Sequence, residues 1–380
     1  MKKLNLLFIA LLIYVSISCL NETKPKTSVN MEINKEEYND SLHFADLYEN
    51  AKMKYAFKGS SKSDFNEWQQ NFRTELRNLL GLSKMEIAYK EYKVQAEKVA
   101  EEDIEFAIRE HWYIWTEPTV RLPFILLRPK SINTSVPLVI CPHGHSKNTE
   151  LYAGIYNTEE ERISGEEGER DVAIQAVKEG YIAIAPTTRG FGETRNAKGK
   201  LDDERSSCRD LLVHDLLVGR TPIGDRVWDM SRIIDWALAT LPVDQKNIII
   251  TGNSGGGTVS LFTAACEPRI SIAVPSSYFC TFTGSIGSIH HCECNYVPGI
   301  LQLGEMADVA GLVAPRPFCA VQGKLDKIFP IEESRKAFAH LKEIYKAAGV
   351  PDDCELYEGP EGHRYYKDGV WPFVKKHLKN

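Results

Sequence analysis

Apolar residues recur at intervals of three and four positions between about residues 36 and 80. This spacing places side chains on one face of a helix. Two series show it: Tyr38, Leu42, Ala45 and Tyr48, followed by Phe65, Trp68, Phe72, Leu76 and Leu79. The sequence therefore predicts helices in this segment, ended by Gly81.

The period shortens to two after about residue 85. Ile104, Phe106 and Ile108 alternate with other residue types, and a second extended run covers 122–127. Alternation of this kind is typical of strands with one face buried. We therefore expect the sheet to begin with antiparallel strands.

From residue 138 onward, short apolar runs alternate with helical patterns. This order is typical of a parallel sheet with helices on both faces. The predicted strands are 138–141, 181–185, 247–251, 270–274, 318–322 and 355–357, and the predicted helices are 171–178, 227–241, 331–348 and a closing helix to about 378. The predicted fold class is α/β, with a mostly parallel central sheet and an N-terminal helical extension.

The composition is that of an ordinary globular protein, with 43% hydrophobic and 26% charged residues among 380. The formal net charge of -6 supplies no basic field for a phosphate backbone, so nucleic acid is not an expected partner. We expect a single catalytic domain at 84–380, preceded by the helical extension at 20–83.

The N-terminus has the order of a secretory signal. Two lysines precede an apolar run over 6–17, and Ser18-Cys19 leads into a polar stretch. The run is shorter than the ~20 residues of a membrane-spanning helix. Residues 16–19 resemble a lipobox with Ser at its first position, so we expect a lipoprotein signal at 1–19 and a lipid anchor on Cys19. The chain would then be exported, as a periplasmic or outer-membrane lipoprotein; cleavage without lipidation is the alternative.

The strongest chemical signal is the segment Gly252-Asn253-Ser254-Gly255-Gly256, which lies between a predicted strand and a predicted helix. G-x-S-x-G in this context predicts the nucleophile elbow of an α/β-hydrolase, with Ser254 as nucleophile. Glycine fits at 252 and 256 because side chains there would crowd the neighbouring strand and helix. A plain Gly-rich turn or a phosphate loop is the alternative, but no Gly-Lys-Ser/Thr follows.

A nucleophilic serine needs a histidine base and an orienting acid, in the chain order Ser, Asp or Glu, His. Asp326 follows the predicted strand 318–322, and His363 follows the strand 355–357. We predict that Ser254, Asp326 and His363 act together. A turn-forming role is the alternative for Asp326, with Glu332 or Glu333 as substitute acids. His340 and His377 fall in helical patterns and are expected at the surface.

An oxyanion hole needs two backbone donors aimed at the developing negative charge. Gly255, directly after the serine, would supply one, and His145 in the loop after strand 138–141 would supply the other through its N–H. The histidines of Pro142-His143-Gly144-His145 could instead belong to a metal site or act as a second base, although no carboxylate or cysteine is near them in sequence.

Eight cysteines follow Cys19, and no disulfide pairing can be assigned from their positions. Cys292 and Cys294, with His290 and His291, form a short His-His-Cys-Glu-Cys run that resembles a metal cluster. Structural zinc usually takes two well-separated ligand pairs, and no second Cys-x-x-Cys or His-x-x-x-His pair occurs. We therefore expect packing or substrate contacts here, with no metal and no cofactor.

Several segments together resemble the acetylxylan-esterase-like branch of bacterial α/β-hydrolases. They are the run from Gly219 to Asp229, the elbow, the segment 323–330 with Asp326, and Glu361-Gly362-His363. The resemblance covers roughly residues 85–378 and implies a hydrolase of carbohydrate or small-molecule esters, often acetyl esters, with the site residues given above. The sequence departs from familiar members at Asn253 and in the loop 288–295.

These patterns lead to three functional hypotheses. The first is a serine carboxylic ester hydrolase that deacetylates carbohydrate esters through an acyl-enzyme intermediate. The second is a methyl-ester or lactone hydrolase acting on uronate sugars. The third, of a different class, is a noncatalytic carbohydrate-binding surface lipoprotein that retains the fold. The acyl group, the sugar and the oligomeric state do not follow from the sequence.

Overall fold

The computed structural model of the protein describes residues 38–145 and 149–379. The predicted signal peptide and Cys19 lie outside these residues. The helices are α1 Asp40–Glu49, α2 Lys62–Leu79, α3 Leu82–Ala88, α4 Glu159–Glu167, α5 Val172–Lys178, α6 Ala197–Leu201, α7 Cys208–Val218, α8 Pro222–Thr240, α9 Gly255–Cys266, α10 Ile300–Leu303, α11 Met306–Gly311, α12 Ile331–Ala347 and α13 Lys367–His377. The strands are β1 Gln95–Ile104, β2 Ala107–Glu117, β3 Val120–Pro129, β4 Val136–Ile140, β5 Ile182–Pro186, β6 Val243–Asn253, β7 Ile272–Ser276, β8 Phe318–Gly323 and β9 Cys354–Gly359.

The nine strands form one sheet in the order β1-β2-β3-β5-β4-β6-β7-β8-β9. Strands β4 to β9 pair in parallel with their neighbours in this group, whereas β1, β2 and β3 add an antiparallel portion at one edge. The predicted mostly parallel α/β sheet with an antiparallel beginning is thus confirmed. Since parallel strands end at the same edge, the segments that follow β4, β6, β8 and β9 emerge together.

Both faces of the sheet are buried, as the apolar runs of β4 and β6 require. Successive residues of a strand point to opposite faces. Accordingly, Ile248 and Ile250 belong to one core with α2, α3, α8, α9, α11 and α12, while Ile249 belongs to a second core with α5 and α13. The prediction of helices on both faces is confirmed.

The chain divides into two compact units, residues 1–46 and 47–380. Of the first unit, the structure describes residues 38–46, most of which belong to α1. Within the second unit, α2 begins with a capping box between Ser61 and Asp64 and buries Phe65, Phe72 and Leu76 in the larger core. The boundary between a helical extension ending at 83 and a catalytic domain beginning at 84 stays a prediction. Residues 47–83 contribute side chains to the same core as the sheet.

The bounds of two predicted elements differ most clearly from those in the structure. The alternation at 104–108 is not one strand, because Ile104 ends β1 and pairs with Ala107 at the start of β2. The two residues between them form the hairpin turn and carry no glycine, asparagine or proline signal. Helix α8 begins at Pro222 rather than at 227, with Thr221 as its N-cap. Within residues 38–145 and 149–379, none of the helices is both long and apolar enough to cross a bilayer.

Candidate active site

Ser254 occupies the sharp turn between β6 and α9. Its backbone has φ 57° and ψ −118°, a conformation that a side-chain-bearing residue rarely adopts. A Cβ on Gly252 or Gly256 would overlap the carbonyl oxygen of Pro142, so glycine is required at both positions. Strain held in this way is characteristic of functional turns. The sequence prediction of a strand, a sharp turn and a helix around Ser254 matches the structure.

Asp326 and His363 meet beside the elbow. Asp326 follows β8 and His363 follows β9, and Asp326 Oδ2 lies 2.8 Å from His363 Nδ1. The other carboxylate oxygen, Oδ1, accepts the backbone N–H groups of Ile328 at 2.8 Å and Phe329 at 3.1 Å. The ring of Phe329 stacks on the imidazole with centroids 5.8 Å apart. The imidazole is therefore held on one nitrogen and one face, which leaves Nε2 for another partner.

The remaining acids and histidines considered from the sequence have other partners. Glu332 pairs with Arg335, and Glu333 accepts a hydrogen bond of 2.6 Å from Thr281 Oγ1. His340 Nε2 lies 2.8 Å from Asp308 Oδ1, and the ring of His377 packs on that of Phe373 with centroids 4.4 Å apart. The side chain of His340 is 37% exposed, in line with the surface position expected from the sequence, whereas that of His377 is only 11% exposed. The structure brings Asp326, and neither glutamate, to His363.

The loop after β4 packs against the elbow. A Cβ on Gly144 would lie 2.7 Å from the carbonyl oxygen of Asn253, and one on Gly255 would lie 2.7 Å from His145 Cε1. The His145 ring therefore covers Gly255, which places the two residues predicted for the oxyanion hole side by side. His143 points the other way, into the protein, where it is 1% exposed.

A cavity of about 480 Å³ opens beside the elbow. Ser254, His363 and His145 all face it, and the loop after β7 supplies the opposite wall. The remaining lining residues include Phe191, Arg205, Ser206, Gly255, Thr258, Ile289, His290, His291, Cys292, Glu293, Asn295, Ile328 and Phe329. The loop that carries the His-His-Cys-Glu-Cys run therefore lines the cavity. His291 is fixed there by Ser285 Oγ at 3.0 Å from its Nε2.

A buried ion network lies below the loop that follows β5. Arg189 binds Glu117, Asp225 and Asp229, and Arg220 binds Glu117 and Asp225 as well. Burial opposes the ionised form of Glu117, but a hydrogen bond from Arg220 and the charge of Arg189 lower its pKa to about 2. Arg220, Asp225 and Asp229 of the Gly219 to Asp229 run thus belong to the network, and no residue of the run lines the cavity.

Sequence reasoning missed one group of side chains at the cavity wall. His145 Nε2 lies 3.3 Å from Cys294 Sγ, which lies 3.4 Å from Cys292 Sγ. Cys208, at the start of α7, interacts with both of these thiols. Cys208 stands alone in its segment, and the sequence gives no sign that the Pro142 to His145 loop meets the His-His-Cys-Glu-Cys run.

Comparison with known proteins places this geometry in a family. The model of the Abhydrolase family matches residues 41–365, which is most of the chain. The protein belongs to the Abhydrolase family. A protein of Bacillus subtilis (strain 168) that is assigned as a hydrolase, YtaP, is 24% identical to it over 251 residues, covering 64% of this chain and 78% of YtaP.

Solved structures agree on the fold of this Abhydrolase family member. A Bacteroides fragilis protein assigned as an acetyl xylan esterase superposes with a TM-score of 0.72 at 18% identity, covering 90% of this chain and 85% of that one. The methylesterase BT1017 superposes with a TM-score of 0.60 at 19% identity, covering 89% and 68%. The resemblance to acetylxylan-esterase-like α/β-hydrolases is thereby confirmed at the level of the fold.

Proposed function

We propose that the protein is a serine carboxylic ester hydrolase that removes acetyl groups from carbohydrate esters. One observation carries the proposal: the strained Ser254 and the hydrogen-bonded pair of His363 and Asp326 open into the same cavity. The structural likeness to a protein assigned as an acetyl xylan esterase supports the substrate class.

Each residue has a role in the proposed reaction. Ser254 Oγ attacks the ester carbonyl while His363 Nε2 takes its proton, and His363 then returns that proton to the departing sugar oxygen. Asp326 orients the imidazole and stabilises its charged form. Water then attacks the acyl-enzyme while His363 again takes and returns a proton, which releases the carboxylic acid and the free serine. The N–H groups of Gly255 and His145 stabilise the negative oxygen of each tetrahedral intermediate.

A uronate methyl-ester or lactone hydrolase is the second candidate. Arg205 lines the cavity and donates a hydrogen bond to the carbonyl oxygen of His145, so a positive charge stands at the rim. That charge would favour a sugar chain with additional carboxylates. The structural likeness to a methylesterase also supports this second candidate function. Initial rates on acetylated and on methyl-esterified polysaccharides would separate the two candidates.

Ser254→Ala tests the catalytic assignment. We expect kcat for p-nitrophenyl acetate to fall by roughly 10³-fold or more, because no other nucleophile stands at the elbow. The fold should persist, since the hydroxyl contributes little buried surface. Circular dichroism would verify this, and Ser164→Ala, at an exposed position of α4, is the matched control.

A fluorophosphonate probe distinguishes the enzyme from a noncatalytic carbohydrate-binding protein of the same fold. Labelling of the unaltered protein, and its absence in Ser254→Ala, is the expected result. Turnover retained by the folded Ser254→Ala variant would show that the nucleophile is another residue, and an unlabelled parent protein would favour the noncatalytic hypothesis.

A further inference from the structure

Four metal-ligating side chains from three separate segments converge at the wall of the cavity. We call His145, Cys208, Cys292 and Cys294 the His–Cys cluster. His145 follows β4, Cys208 begins α7, and the other two cysteines lie in the loop after β7. Ligand atoms of His145, Cys292 and Cys294 all lie within 4.8 Å of one another.

The distances within the cluster are close to those of a tetrahedral zinc site. With Zn–S of about 2.3 Å and Zn–N of about 2.0 Å, the edges of the tetrahedron are about 3.8 Å between sulfurs and about 3.5 Å between sulfur and nitrogen. The corresponding distances are 3.4 Å between Cys292 Sγ and Cys294 Sγ and 3.3 Å between Cys294 Sγ and His145 Nε2. These two edges need an expansion of only a few tenths of an ångström, whereas Cys208 Sγ stands outside the group of ligand atoms that lie within 4.8 Å of one another and has to move closer to complete the site.

A buried positive charge beside the cluster is a second, independent observation. Arg226 is 2% exposed, and its Nη2 lies 3.3 Å from Cys208 Sγ. Its other hydrogen bonds go to the carbonyl oxygen of Arg189. Within the described part of the chain, no carboxylate forms an ion pair with Arg226, whereas Arg189 has three. A buried guanidinium requires negative charge nearby, and the cluster is the group in contact with it.

Zinc balances this charge. Three thiolates and one Zn²⁺ carry a net charge of −1, which Arg226 offsets. A disulfide would use two of the three sulfurs and leave only one thiol and His145 as possible metal ligands.

We propose that the His–Cys cluster binds one Zn²⁺ as a closed structural site, in which His145 Nε2 and the sulfurs of Cys292 and Cys294 are already grouped and Cys208 Sγ, next to both thiols, moves in as the fourth ligand. Binding displaces one proton from each thiol, while the imidazole binds in its neutral form. No ligand position is left for a water, so the ion does no chemistry on the ester. This replaces the expectation from the sequence that Cys292 and Cys294 only pack or touch substrate.

The site would fix the geometry of the cavity. The ion joins the loop that carries His145, the start of α7 and the loop that carries His291, and the first and last of these line the cavity beside Ser254. Because His145 covers Gly255, holding its ring also holds the loop against the elbow. The proposal concerns metal binding and stands whether or not the cavity hydrolyses acetyl esters.

The test is the zinc content of the purified protein, measured by elemental mass spectrometry after gel filtration. We expect about one zinc per chain, and at least roughly tenfold less in Cys208→Ser, Cys292→Ser and Cys294→Ser. Cys354→Ser is the matched control because Cys354 is also a buried free thiol but lies at the start of β9. It should retain its zinc.

A second measurement does not depend on the variants folding. The unaltered protein is stripped with a chelator under reducing conditions and titrated with Co²⁺, whose thiolate charge-transfer absorption should appear at one equivalent and vanish on adding Zn²⁺. Reduced protein that takes up neither ion overturns the proposal, as does a disulfide from Cys208 to Cys292 or Cys294 in exported protein. Zinc retained by folded Cys208→Ser would overturn the four-ligand set.

Discussion

His143 shapes the site although it does not line the cavity. Its Nε2 accepts the backbone N–H of Thr188 at 3.1 Å, so the proton is on Nδ1, which donates to the carbonyl oxygen of Gly144 at 2.6 Å. Burial lowers the pKa of His143 to about 4, which keeps the ring neutral and preserves this pattern at physiological pH. The turn that brings Gly144 and His145 to the elbow therefore depends on a histidine that faces the core.

Asp215 makes the stability of the protein dependent on pH. Burial, and next the negative charge of Asp225, raise the pKa of Asp215 to about 7, although Arg220 and Arg189 oppose this. A carboxyl whose pKa is raised by folding stabilises the protein while protonated, and this contribution is lost as pH rises from near 4 through about 7. Asp215→Asn should therefore raise the melting temperature at pH 8 and leave it nearly unchanged at pH 4.

Thermal unfolding at several pH values checks the prediction for Asp215. Asp352→Asn, at an exposed position before β9, is the control and should not alter the pH profile. An equal shift of Asp215→Asn at pH 4 and pH 8 would contradict a titrating origin and indicate a packing effect.

The sequence located the principal residues of the site but not those that support them. Ser254, Asp326 and His363 could be found because the elbow has a local motif and its partners follow strands in a fixed order. Their roles remain proposals. His143, Cys208 and Arg226 carry no such motif, and Cys208 lies far from Cys292 in the sequence. Only the folded chain shows that these side chains meet.

At the scale of the elements, α2 packs on the segment just before it and on α9. Phe72 is fully buried, and its ring stacks on that of Tyr55 with centroids 5.4 Å apart and planes at 10°. Arg73 and Arg77 on the same helix donate hydrogen bonds to the last carbonyl groups of α9, the helix that begins after Ser254. Helix α2 thus contributes to the packing behind the elbow.

Phe72→Ala tests whether residues 47–83 are integral to the catalytic unit. Removing the ring leaves a cavity in the larger core, so the free energy of unfolding should fall by roughly 3–5 kcal/mol. Urea denaturation followed by tryptophan fluorescence would measure it. Glu67→Ala, at an exposed position of α2, should change this free energy by less than about 0.5 kcal/mol. If both variants behave alike, the helical segment is a separable extension.

The elements that the sequence predicted are those with strong periodicity. β4, β6 and α2 have continuous or regularly spaced apolar residues because they contribute to one or both cores. The sequence did not predict β1 because this strand lacks an apolar face. Its residues are exposed apart from Ala96 and Ile104, which are half-buried. Helix α7 was missed for a different reason, since its apolar residues form two runs, at 211–213 and 216–218, and are not confined to one face.

At the scale of the whole molecule, we propose export and attachment to a membrane by a lipid on Cys19. The residue lies outside the described part of the chain, and the proposal comes from the lipobox-like order at 16–19. Cys19→Ala should move the protein from the membrane to the soluble fraction of a Gram-negative host. The control is Cys354→Ala, which should stay with the membrane. Equal partition of both variants would count against lipidation.

The charged side chains of β1 affect whether molecules of this protein associate through the edge of the sheet. β1 is the outermost strand of the sheet, and an exposed edge can recruit strands from other chains and so begin aggregation. Glu97, Lys98, Glu101, Glu102 and Asp103 give this edge a row of exposed charges, and Val99, 51% exposed, is its large apolar side chain. A neighbouring strand would have to strip water from those charges and would gain little hydrophobic contact in return. The charged sequence that made β1 hard to predict thus disfavours self-association of these molecules at high protein concentration.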